Sequence, residues 1–439
     1  ALDDITENDM IYPAIVLSVK QNAVQAYRKG GEVIEIKGDG LKFAQKHLPT
    51  NKKEQGKKYL SHGALIRIQK DLNNDIWHIV QLPAVEAAIV SLDPNDGAVR
   101  ALVGGFDFQK NKFNHVTQAW RQPGSSFKPF IYSAALEKGF TPATIINDGP
   151  LSFNANQTGS QLWEPKNFDG KYDGPVRMRT ALVKSKNLVS IRILQAIGVH
   201  YAQDYISRFG FDADRHPAYL PMALGSGSVT PMQMAVGYSV FANGGYRIAP
   251  YFIKKIEDEK GNVLEQFQPV STSNGAKRVI DPRNAFIMTN MMQDVINFGN
   301  AVKAKQLGRT DLAGKTGTTS NYIDAWFCGY QKNLVTISWM GYDEPKSLGS
   351  NETGGRVALP IWMDYMKSVM KDVPMVDYKA PSGITATKIN SGTGFRDSSG
   401  NMTEYFFSEQ LPPVYEPPPI EHAPNPGVRE EKDVRDQLF

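Results

Sequence analysis

The sequence predicts an α/β protein of the α+β kind, with a central antiparallel sheet and a helical subdomain, preceded by a small all-β domain. Three observations predict this fold. Apolar and β-branched runs separated by Gly- and Asn-rich turns occupy residues 1–84. Two further strand patterns follow from Glu86, and strand patterns resume only at Lys315. Helical patterns fill the interval, so the sheet is assembled from both ends of this region and the helices are inserted between.

Residues 1–84 form the predicted small β domain. Its predicted strands are Ala14–Val19, Ala23–Tyr27, Ala64–Ile68 and Ile76–Val80. Lysines cluster in the middle of this region, at Lys52, Lys53, Lys57 and Lys58. We interpret them as a solvated loop, with a contact surface for an acidic partner as the alternative.

Residues 85–378 form the predicted second domain. It opens with the strand Ala87–Leu92, turns at Asn95-Asp96-Gly97 and returns in Val99–Val103. A helix is predicted directly after Pro123-Gly124, because apolar residues recur there at helical spacing. The later predicted helices are Met178–Ile197, Met232–Asn243, Arg283–Phe298 and Pro360–Lys371. The later predicted strands are Lys315–Thr319, Ala325–Tyr330 and Leu334–Tyr342.

Residues 379–439 form a predicted C-terminal extension. One short strand, Ile384–Ile389, is predicted in it. The remainder contains Pro412-Pro413 and Pro417-Pro418-Pro419 and few apolar residues. We expect this remainder to be extended or disordered.

Composition excludes several classes of function. The 439 residues include 49 basic and 45 acidic side chains, and a net charge of +4 is too even to suggest nucleic acid as a partner. We find neither a bilayer-spanning apolar run nor a signal peptide, and the chain begins at Ala1, so we expect a piece of a longer protein. The histidines are scattered and Cys328 is the single cysteine, so no metal, cofactor or disulfide is predicted.

Three short motifs carry the chemistry. They are Ser125-Ser126-Phe127-Lys128, Ser185-Lys186-Asn187 and Lys315-Thr316-Gly317, and their first residues are 60 and 130 positions apart. Together they are the set of a serine acyl-transfer enzyme. Ser-x-x-Lys occurs again at Ser368 to Lys371, whereas Lys-Thr-Gly occurs once. The order of the motifs and the sequence around them therefore decide which of the two Ser-x-x-Lys patterns belongs to the site.

The first two motifs can be combined into one mechanism. Ser125 and Lys128 share a face of the predicted helix, and a serine hydroxyl needs a base within reach. Backbone N–H groups at the helix start would hold an oxyanion. Lysine serves as a base only if burial or a nearby cation such as Lys315 lowers its pKa. Ser185 would then relay a proton, and Asn187 would anchor Lys128 or the substrate amide.

The third motif is predicted to be an exposed edge strand, Lys315–Thr319. Its glycine permits close backbone approach, so an extended peptide can add alongside, and its lysine and threonines offer donors to a carboxylate. A phosphate-binding loop ending in Gly314-Lys315-Thr316 is excluded, because it needs a glycine where this chain has Arg309.

With their surroundings, these motifs resemble the class A penicillin-binding proteins of the 1a type. The resemblance implies the penicillin-binding and serine β-lactamase-like transpeptidase fold, preceded by an OB-like domain and linker. Bifunctional members of the family carry a membrane anchor and a glycosyltransferase domain ahead of this region. We expect neither in this chain, and no glycan polymerisation from it. The resemblance rests on Phe113–Phe130, Ser185–Ser190, Val229–Ala235, Ala242–Gly245, Ala313–Thr319 and Asp324–Phe327.

The resemblance also implies a role for each motif residue. Ser125 is the acylated nucleophile, Lys128 its general base, and the backbone N–H groups of Ser125 and Thr318 form the oxyanion hole. Ser185 and Asn187 are the proton relay and the substrate anchor. The stem-peptide or β-lactam carboxylate is expected on Lys315, which also belongs to the catalytic set, and on Thr316 and Thr318. The substrate-binding residues are Thr316, Gly317, Thr318 and Thr319. Asn167 fits the family pattern with a structural role, and His115 receives none.

The implied function is a peptidoglycan D,D-transpeptidase, which cross-links D-Ala-D-Ala stem peptides on the periplasmic side of the inner membrane and is inhibited by β-lactams. One alternative is a serine β-lactamase, which needs a carboxylate to activate water. No glutamate occurs between Ser185 and Glu257, and Glu257 is expected in a surface turn. The other alternative is a non-catalytic β-lactam sensor or peptidoglycan-binding module, for which no signalling segment is seen.

Overall fold

A computed structural model describes residues 2, 5, 7, 8, 10–49, 59–71, 73–155 and 162–415. The lysine cluster at 52–58 and the prolines from Pro417 onward lie outside the described residues. The predictions made for them therefore stay predictions.

The N-terminal region is a five-stranded antiparallel sheet in the order β3-β2-β1-β4-β5. Alternate side chains such as Val16, Val24 and Ile68 are buried in an apolar cluster of this region's own. The predicted all-β region is confirmed, with β3 as an additional strand. The strands are β1 (Tyr12–Lys20), β2 (Ala23–Arg28), β3 (Val33–Lys37), β4 (Leu65–Lys70) and β5 (Trp77–Val80).

The region that follows combines strands at its two ends with helices between them. Its strands are β6 (Glu86–Leu92), β7 (Val99–Val103), β8 (Ile145–Asp148), β9 (Gly174–Arg177), β10 (Tyr246–Arg247), β11 (Lys255–Glu257), β12 (Val263–Gln266), β13 (Lys277–Arg278), β14 (Ala313–Thr318), β15 (Ala325–Gln331) and β16 (Leu334–Gly341). Its helices are α1 (Lys128–Glu137), α2 (Met178–Val183), α3 (Asn187–Ile197), α4 (Val199–Ser207), α5 (Pro231–Ala242), α6 (Pro282–Phe298) and α7 (Leu359–Val369). Within the described part of the chain, no helix is both long and apolar enough to cross a membrane.

The central sheet has the order β14-β15-β16-β6-β7, and every pairing in it is antiparallel. Strands from the start of the region therefore pair with strands from its end. The helices α1 to α6 lie in the chain between these two sets of strands. This arrangement confirms the predicted α+β fold with its inserted helical subdomain.

Helices cover both faces of the sheet. On one face Tyr330 of β15 packs against Tyr238 of α5, with ring centroids 6.4 Å apart. On the other face Phe327 packs edge-on against Trp362 of α7, at 4.9 Å. All seven residues of β15 are buried. Large aromatic side chains dominate the energetics of such cores, so β15 gives the neighbouring edge strand β14 a rigid support.

The single helix predicted over Met178–Ile197 is wrong, because the chain breaks between α2 and α3. Ser185 lies in the break with a φ of 58°, in the left-handed region that a right-handed helix does not use. The apolar periodicity continues on both sides, and no Gly or Pro marks the interruption. Ser185 and Lys186 thus lie in a short loop, and Asn187, the last residue of the second motif, begins α3.

The third motif lies on an edge strand, as predicted, but it is not exposed. The residues of β14 from Ala313 to Gly317 are buried. A Cβ on Gly317 would lie 2.4 Å from the carbonyl oxygen of Pro123, so the loop before α1 packs directly on this strand. The prediction considered the strand alone and could not include the loop that covers it.

The C-terminal extension contains more structure than predicted. The predicted strand β17 (Ile384–Ile389) pairs with a second strand, β18 (Met402–Phe407). The expectation of extended or disordered chain is wrong for β18. Its Glu404 is fully buried and accepts a hydrogen bond from Arg179 Nε of α2 at 2.7 Å. This contact ties the β17–β18 hairpin to the helical subdomain.

Candidate active site

The three motifs meet at one cleft of about 890 Å³, bounded by the start of α1, the loop between α2 and α3, and strand β14. Lys128, Lys315 and Gly317 lie behind the surface of this cleft and are buried. The structure therefore brings together residues far apart in sequence, in two layers. The motif residues that line the cleft itself are Ser125, Ser185, Lys186, Asn187, Thr316, Thr318 and Thr319.

Ser125 lies in a 3₁₀ turn, Gly124–Phe127, that continues into α1. Its half-buried side chain faces the cleft, and its backbone N–H belongs to the first turn, where N–H groups have no intrahelical acceptor. Gly124 has a φ of 55°, and a Cβ there would lie 2.7 Å from the carbonyl oxygen of Thr318. Glycine thus lets the turn approach the end of β14 closely.

Lys128 is fully buried on α1, and its Nζ donates to oxygens of the second motif. The acceptors are the carbonyl oxygen of Ser185 at 2.7 Å, Ser185 Oγ at 3.3 Å and Asn187 Oδ1 at 2.8 Å. Burial, and then the positive charge of Lys315, lower the pKa of Lys128 well below its ordinary value, while Asp148 acts in the opposite direction. A lysine in this environment gives up a proton readily and can act as a base.

Ser185 connects the two buried lysines. Its Oγ accepts hydrogen bonds from Lys315 Nζ at 2.9 Å and from Lys128 Nζ at 3.3 Å. Burial lowers the pKa of Lys315 to about 7. One hydroxyl between two lysines of lowered pKa is the geometry that a proton relay needs.

Asn167 and Asn187 hold the start of α3. Asn167 Oδ1 accepts from the backbone N–H groups of Asn187 at 2.8 Å and Leu188 at 3.3 Å, which otherwise lack intrahelical acceptors. Asn187 Nδ2 donates to the carbonyl oxygen of Lys166 at 2.9 Å. These bonds orient Asn187 Oδ1 toward Lys128. The contacts of Asn167 are therefore structural, in keeping with the role that the family resemblance implies for it.

The third motif divides its side chains between the cleft and the interior. Thr318 Oγ1 accepts from the Gly354 N–H at 3.0 Å, and Thr319 Oγ1 accepts from the Asp324 N–H at 2.8 Å. Both hydroxyls line the cleft and keep their own protons to donate. Lys315 instead directs its ammonium to Ser185 and to the carbonyl oxygen of Thr316. A carboxylate in the cleft would therefore meet threonine hydroxyls before Lys315.

Several residues of the cleft were not identified from the sequence. They lie in segments without a motif, and only the fold brings them to the site. Among the described residues that line the cleft, Asp169 is the one that carries a carboxylate, and it pairs with Lys186 at 3.3 Å. The described residues contain no group of three or more His, Cys, Asp or Glu that could hold a metal ion. The unpredicted lining residues include Phe168, Asp169, Asn300, Lys303, Tyr322 and Arg356.

Two family models match this chain, one in each of its first two regions. The model of the penicillin-binding protein transpeptidase domain matches residues 87–367. The chain belongs to the penicillin-binding protein family. The model of the penicillin-binding protein OB-like domain matches residues 1–85. The resemblance inferred from the motifs is therefore confirmed.

Individual relatives agree with the family models. Penicillin-binding protein 1A of Neisseria lactamica is 48% identical over 379 residues, which cover 86% of this chain and 47% of that protein. The chain thus spans about half the length of the curated relatives that it matches. The crystal structure of penicillin-binding protein 1A from Haemophilus influenzae superposes with a TM-score of 0.87 at 33% identity, covering 94% of this chain and 65% of that one. The structure of the PonA1 protein from Mycobacterium tuberculosis in complex with penicillin V superposes with a TM-score of 0.58 at 26% identity, covering 73% of this chain and 85% of that one.

Proposed function

We propose that this chain is a serine D,D-transpeptidase that cross-links peptidoglycan stem peptides ending in D-Ala-D-Ala. It acts in the bacterial cell envelope, on the periplasmic side of the inner membrane. The observation that carries the proposal is the pair of buried lysines on Ser185 Oγ, behind a serine that opens into the cleft at the start of a helix. This is the arrangement that activates a serine without histidine.

In the acylation step Ser125 Oγ attacks the carbonyl carbon of the penultimate D-Ala. Its proton passes to the neutral amine of Lys128. The carbonyl oxygen becomes an oxyanion, which the backbone N–H groups of Ser125 and Thr318 stabilise. When the C–N bond breaks, the departing amine takes a proton delivered through Ser185, and D-Ala leaves.

In the second step the amine of a neighbouring stem peptide attacks the ester carbon of the acyl-enzyme. The amine loses a proton to the lysine pair through Ser185, the ester C–O bond breaks, and Ser125 Oγ recovers its proton. The cross-link forms and the site returns to its starting protonation state. Thr316, Thr318 and Thr319, which line the cleft, hold the donor peptide, and Gly317 behind them leaves room for the loop before α1.

β-Lactams follow the first step and stop there. The opened ring keeps its amine tethered to the acyl group, so the leaving group remains in the cleft. Hydrolysis needs a carboxylate that activates water. Asp169, the carboxylate among the described lining residues, is held by Lys186. We therefore expect a long-lived acyl-enzyme rather than β-lactamase turnover.

The test is the intact mass of the protein after incubation with benzylpenicillin, followed from seconds to hours. We expect one stable adduct of one drug mass on the wild-type chain and none on Ser125→Ala. Ser368→Ala is the matched control, because it removes the serine of the second Ser-x-x-Lys pattern, on the exposed end of α7. It should acylate like the wild type.

Other results would redirect the proposal. An adduct that disappears within seconds while penicilloate accumulates would identify a β-lactamase. A wild-type chain that never gains mass would refute the assignment of Ser125. Release of D-Ala from a D-Ala-D-Ala peptide, with an added amine as acceptor, separates a transpeptidase from a sensor, which would be acylated but would not turn over the peptide.

A further inference from the structure

A buried carboxylate lies behind the second motif. Asp148 is the last residue of β8 and is fully buried. Its Oδ1 accepts from Asn167 Nδ2 at 2.7 Å, and its Oδ2 accepts from the Asp173 N–H at 3.0 Å and lies 3.2 Å from Lys186 Nζ. Both oxygens are therefore engaged, and each points to a different residue near the second motif.

Lys186 is the first of these connections. Like its neighbours Ser185 and Asn187 it borders the cleft, but it is only 2% exposed. Its Nζ also lies 3.3 Å from Asp169 and 3.2 Å from Asp173, but Asp148 is its fully buried partner. An inward lysine between two residues that face the cleft fixes the loop. Such fixation is needed because the φ of Ser185 is unfavourable for a serine.

Asn167 is the second connection. It donates to Asp148, and its Oδ1 accepts from the N–H groups of Asn187 and Leu188. Asp148 thereby orients the amide that caps α3. The two connections reach Ser185 and Asn187 from either side, and these two residues supply all the acceptors given above for Lys128 Nζ.

We propose that Asp148 is a positioning residue of the acylation step: it holds Lys186 and Asn167 so that Ser185 O and Asn187 Oδ1 stay on Lys128 Nζ. The inference rests on the proposed function, since it takes Lys128 as the base. It adds to that function a residue that lies outside all three motifs and does not line the cleft.

The charges around Lys128 make this role measurable. Lys315 approaches from β14, Asp148 from β8 and Lys186 from the loop before α3, while Tyr132 follows one turn later on α1. Burial raises the pKa of Tyr132, so this side chain stays neutral. Lys315 lowers the pKa of Lys128 and Asp148 raises it. Removal of the Asp148 charge therefore makes neutral Lys128 available at lower pH.

The experiment measures the rate of acylation by benzylpenicillin from pH 5 to 9, with folding checked by circular dichroism. For Asp148→Asn we expect the ascending limb of the profile to move to lower pH. We also expect the maximal rate to fall by about 10- to 100-fold, because misplaced catalytic groups cost about this much. Asn167→Ser removes the link between Asp148 and the start of α3 but leaves the charge of Asp148. Its maximal acylation rate should therefore fall, while the ascending limb of its pH profile should stay at the wild-type position.

Asp173→Asn is the matched control. It removes another carboxylate on Lys186, at the same 3.2 Å, from a residue that is partly exposed and is not bonded to Asn167. Its shift should be less than half that of Asp148→Asn, because solvent screens the charge. The inference would be overturned if the ascending limbs of Asp148→Asn and Asp173→Asn shifted equally. It would also be overturned if Asp148→Asn kept both the limb position and the maximal rate of the wild type.

The result also distinguishes this inference from the proposed function. If Asp148→Asn does not fold, an unchanged maximal rate in Asn167→Ser overturns the positioning role by itself. If the wild-type chain is not acylated at any pH, it is the proposed function that fails.

Discussion

The cleft and the contact between α2 and the C-terminal hairpin both bury cationic side chains, but the acceptors differ in charge. In the cleft, Lys128 and Lys315 donate to hydroxyl, amide and carbonyl oxygens, all of them neutral. At the hairpin, Arg179 donates to the carboxylates of Glu404 and Asp294. Burial lowers the pKa of both lysines. Burial also opposes the charge of Arg179, but Glu404 and Asp294 outweigh it and raise its pKa.

This difference separates chemistry from architecture. A buried cation without a charged partner costs folding free energy. Carboxylate partners offset much of that cost, and removal of one partner of such a pair is strongly destabilising. Strongly shifted pKa values in a cleft are typical of groups that transfer protons. We therefore expect that removal of the cleft lysines damages the reaction more than the fold, and that removal of Arg179 does the reverse.

The largest expected effect is on Lys128→Met. Loss of the general base should slow acylation by about 10³-fold, within the usual range for this kind of catalysis. The free energy of unfolding at pH 6 should not decrease, because a destabilised buried charge is removed along with its hydrogen bonds. Acylation is followed by intact mass, and stability by urea unfolding. Lys371→Met, in the second Ser-x-x-Lys pattern, is exposed and should change neither quantity.

A variant that acylates at the wild-type rate would show that another group accepts the Ser125 proton. A variant that unfolds far more easily than the wild type would show that Lys128, like Arg179, mainly stabilises the fold. Either outcome would contradict the distinction between the cleft lysines and Arg179.

The second prediction concerns Arg179→Met. It removes both Arg179 bonds to the fully buried Glu404 and leaves Arg177, 3.7 Å away, as a more distant cation, so we expect a loss of about 3–5 kcal/mol in the free energy of unfolding. Acylation of the folded fraction should stay within about twofold of wild type, because additive effects are expected for sites without shared partners. Urea unfolding and the initial acylation rate measure the two quantities.

Arg283→Met is the control for this prediction. Arg283 pairs with Asp281 and with Glu409 just after β18, but these carboxylates are 38% and 55% exposed. We expect a loss of about 1 kcal/mol or less, as for other pairs near the surface. Equal losses in the two arginine variants would mean that burial of the carboxylate does not decide the effect.

Much of this site was predictable because its parts are local. The serine and the lysine of the first motif lie one helical turn apart, and the strands around Lys315 show clear apolar patterns. The order of the motifs then indicated the family. Strand patterns at both ends of one region also predicted that a single antiparallel sheet combines them, with the helices inserted between.

The rest depends on contacts that no local pattern encodes. Ser185 interrupts a continuous apolar periodicity, and its conformation is set by the inward Lys186 and the distant Asp148. Asp148 itself is 37 residues before the second motif, at the end of an ordinary short strand. Strand β18 was missed because its central Glu404 resembles a solvent-facing residue until Arg179 is placed beside it.

The smallest expected effect tests how the two lysines of the cleft are coupled. With a pKa of about 7, Lys315 is charged mainly below pH 7, so only there does it lower the pKa of Lys128. In Lys315→Met the Lys128 pKa should rise, and the ascending limb of the acylation profile should move to higher pH. The direction is opposite to that expected for Asp148→Asn.

Lys315→Arg is the control for charge, because arginine stays protonated at every pH of the experiment. In Lys315→Arg the ascending limb of the acylation profile should stay at the wild-type pH or move to lower pH. Both Lys315 variants should lose some maximal rate, because each changes the hydrogen bond to Ser185 Oγ. The ratio of the wild-type rate to the Lys315→Met rate should be largest below pH 7 and should fall to a smaller, constant value above it. A constant ratio of their rates from pH 5 to 9 would show that Lys315 acts only through Ser185 and not through its charge on Lys128.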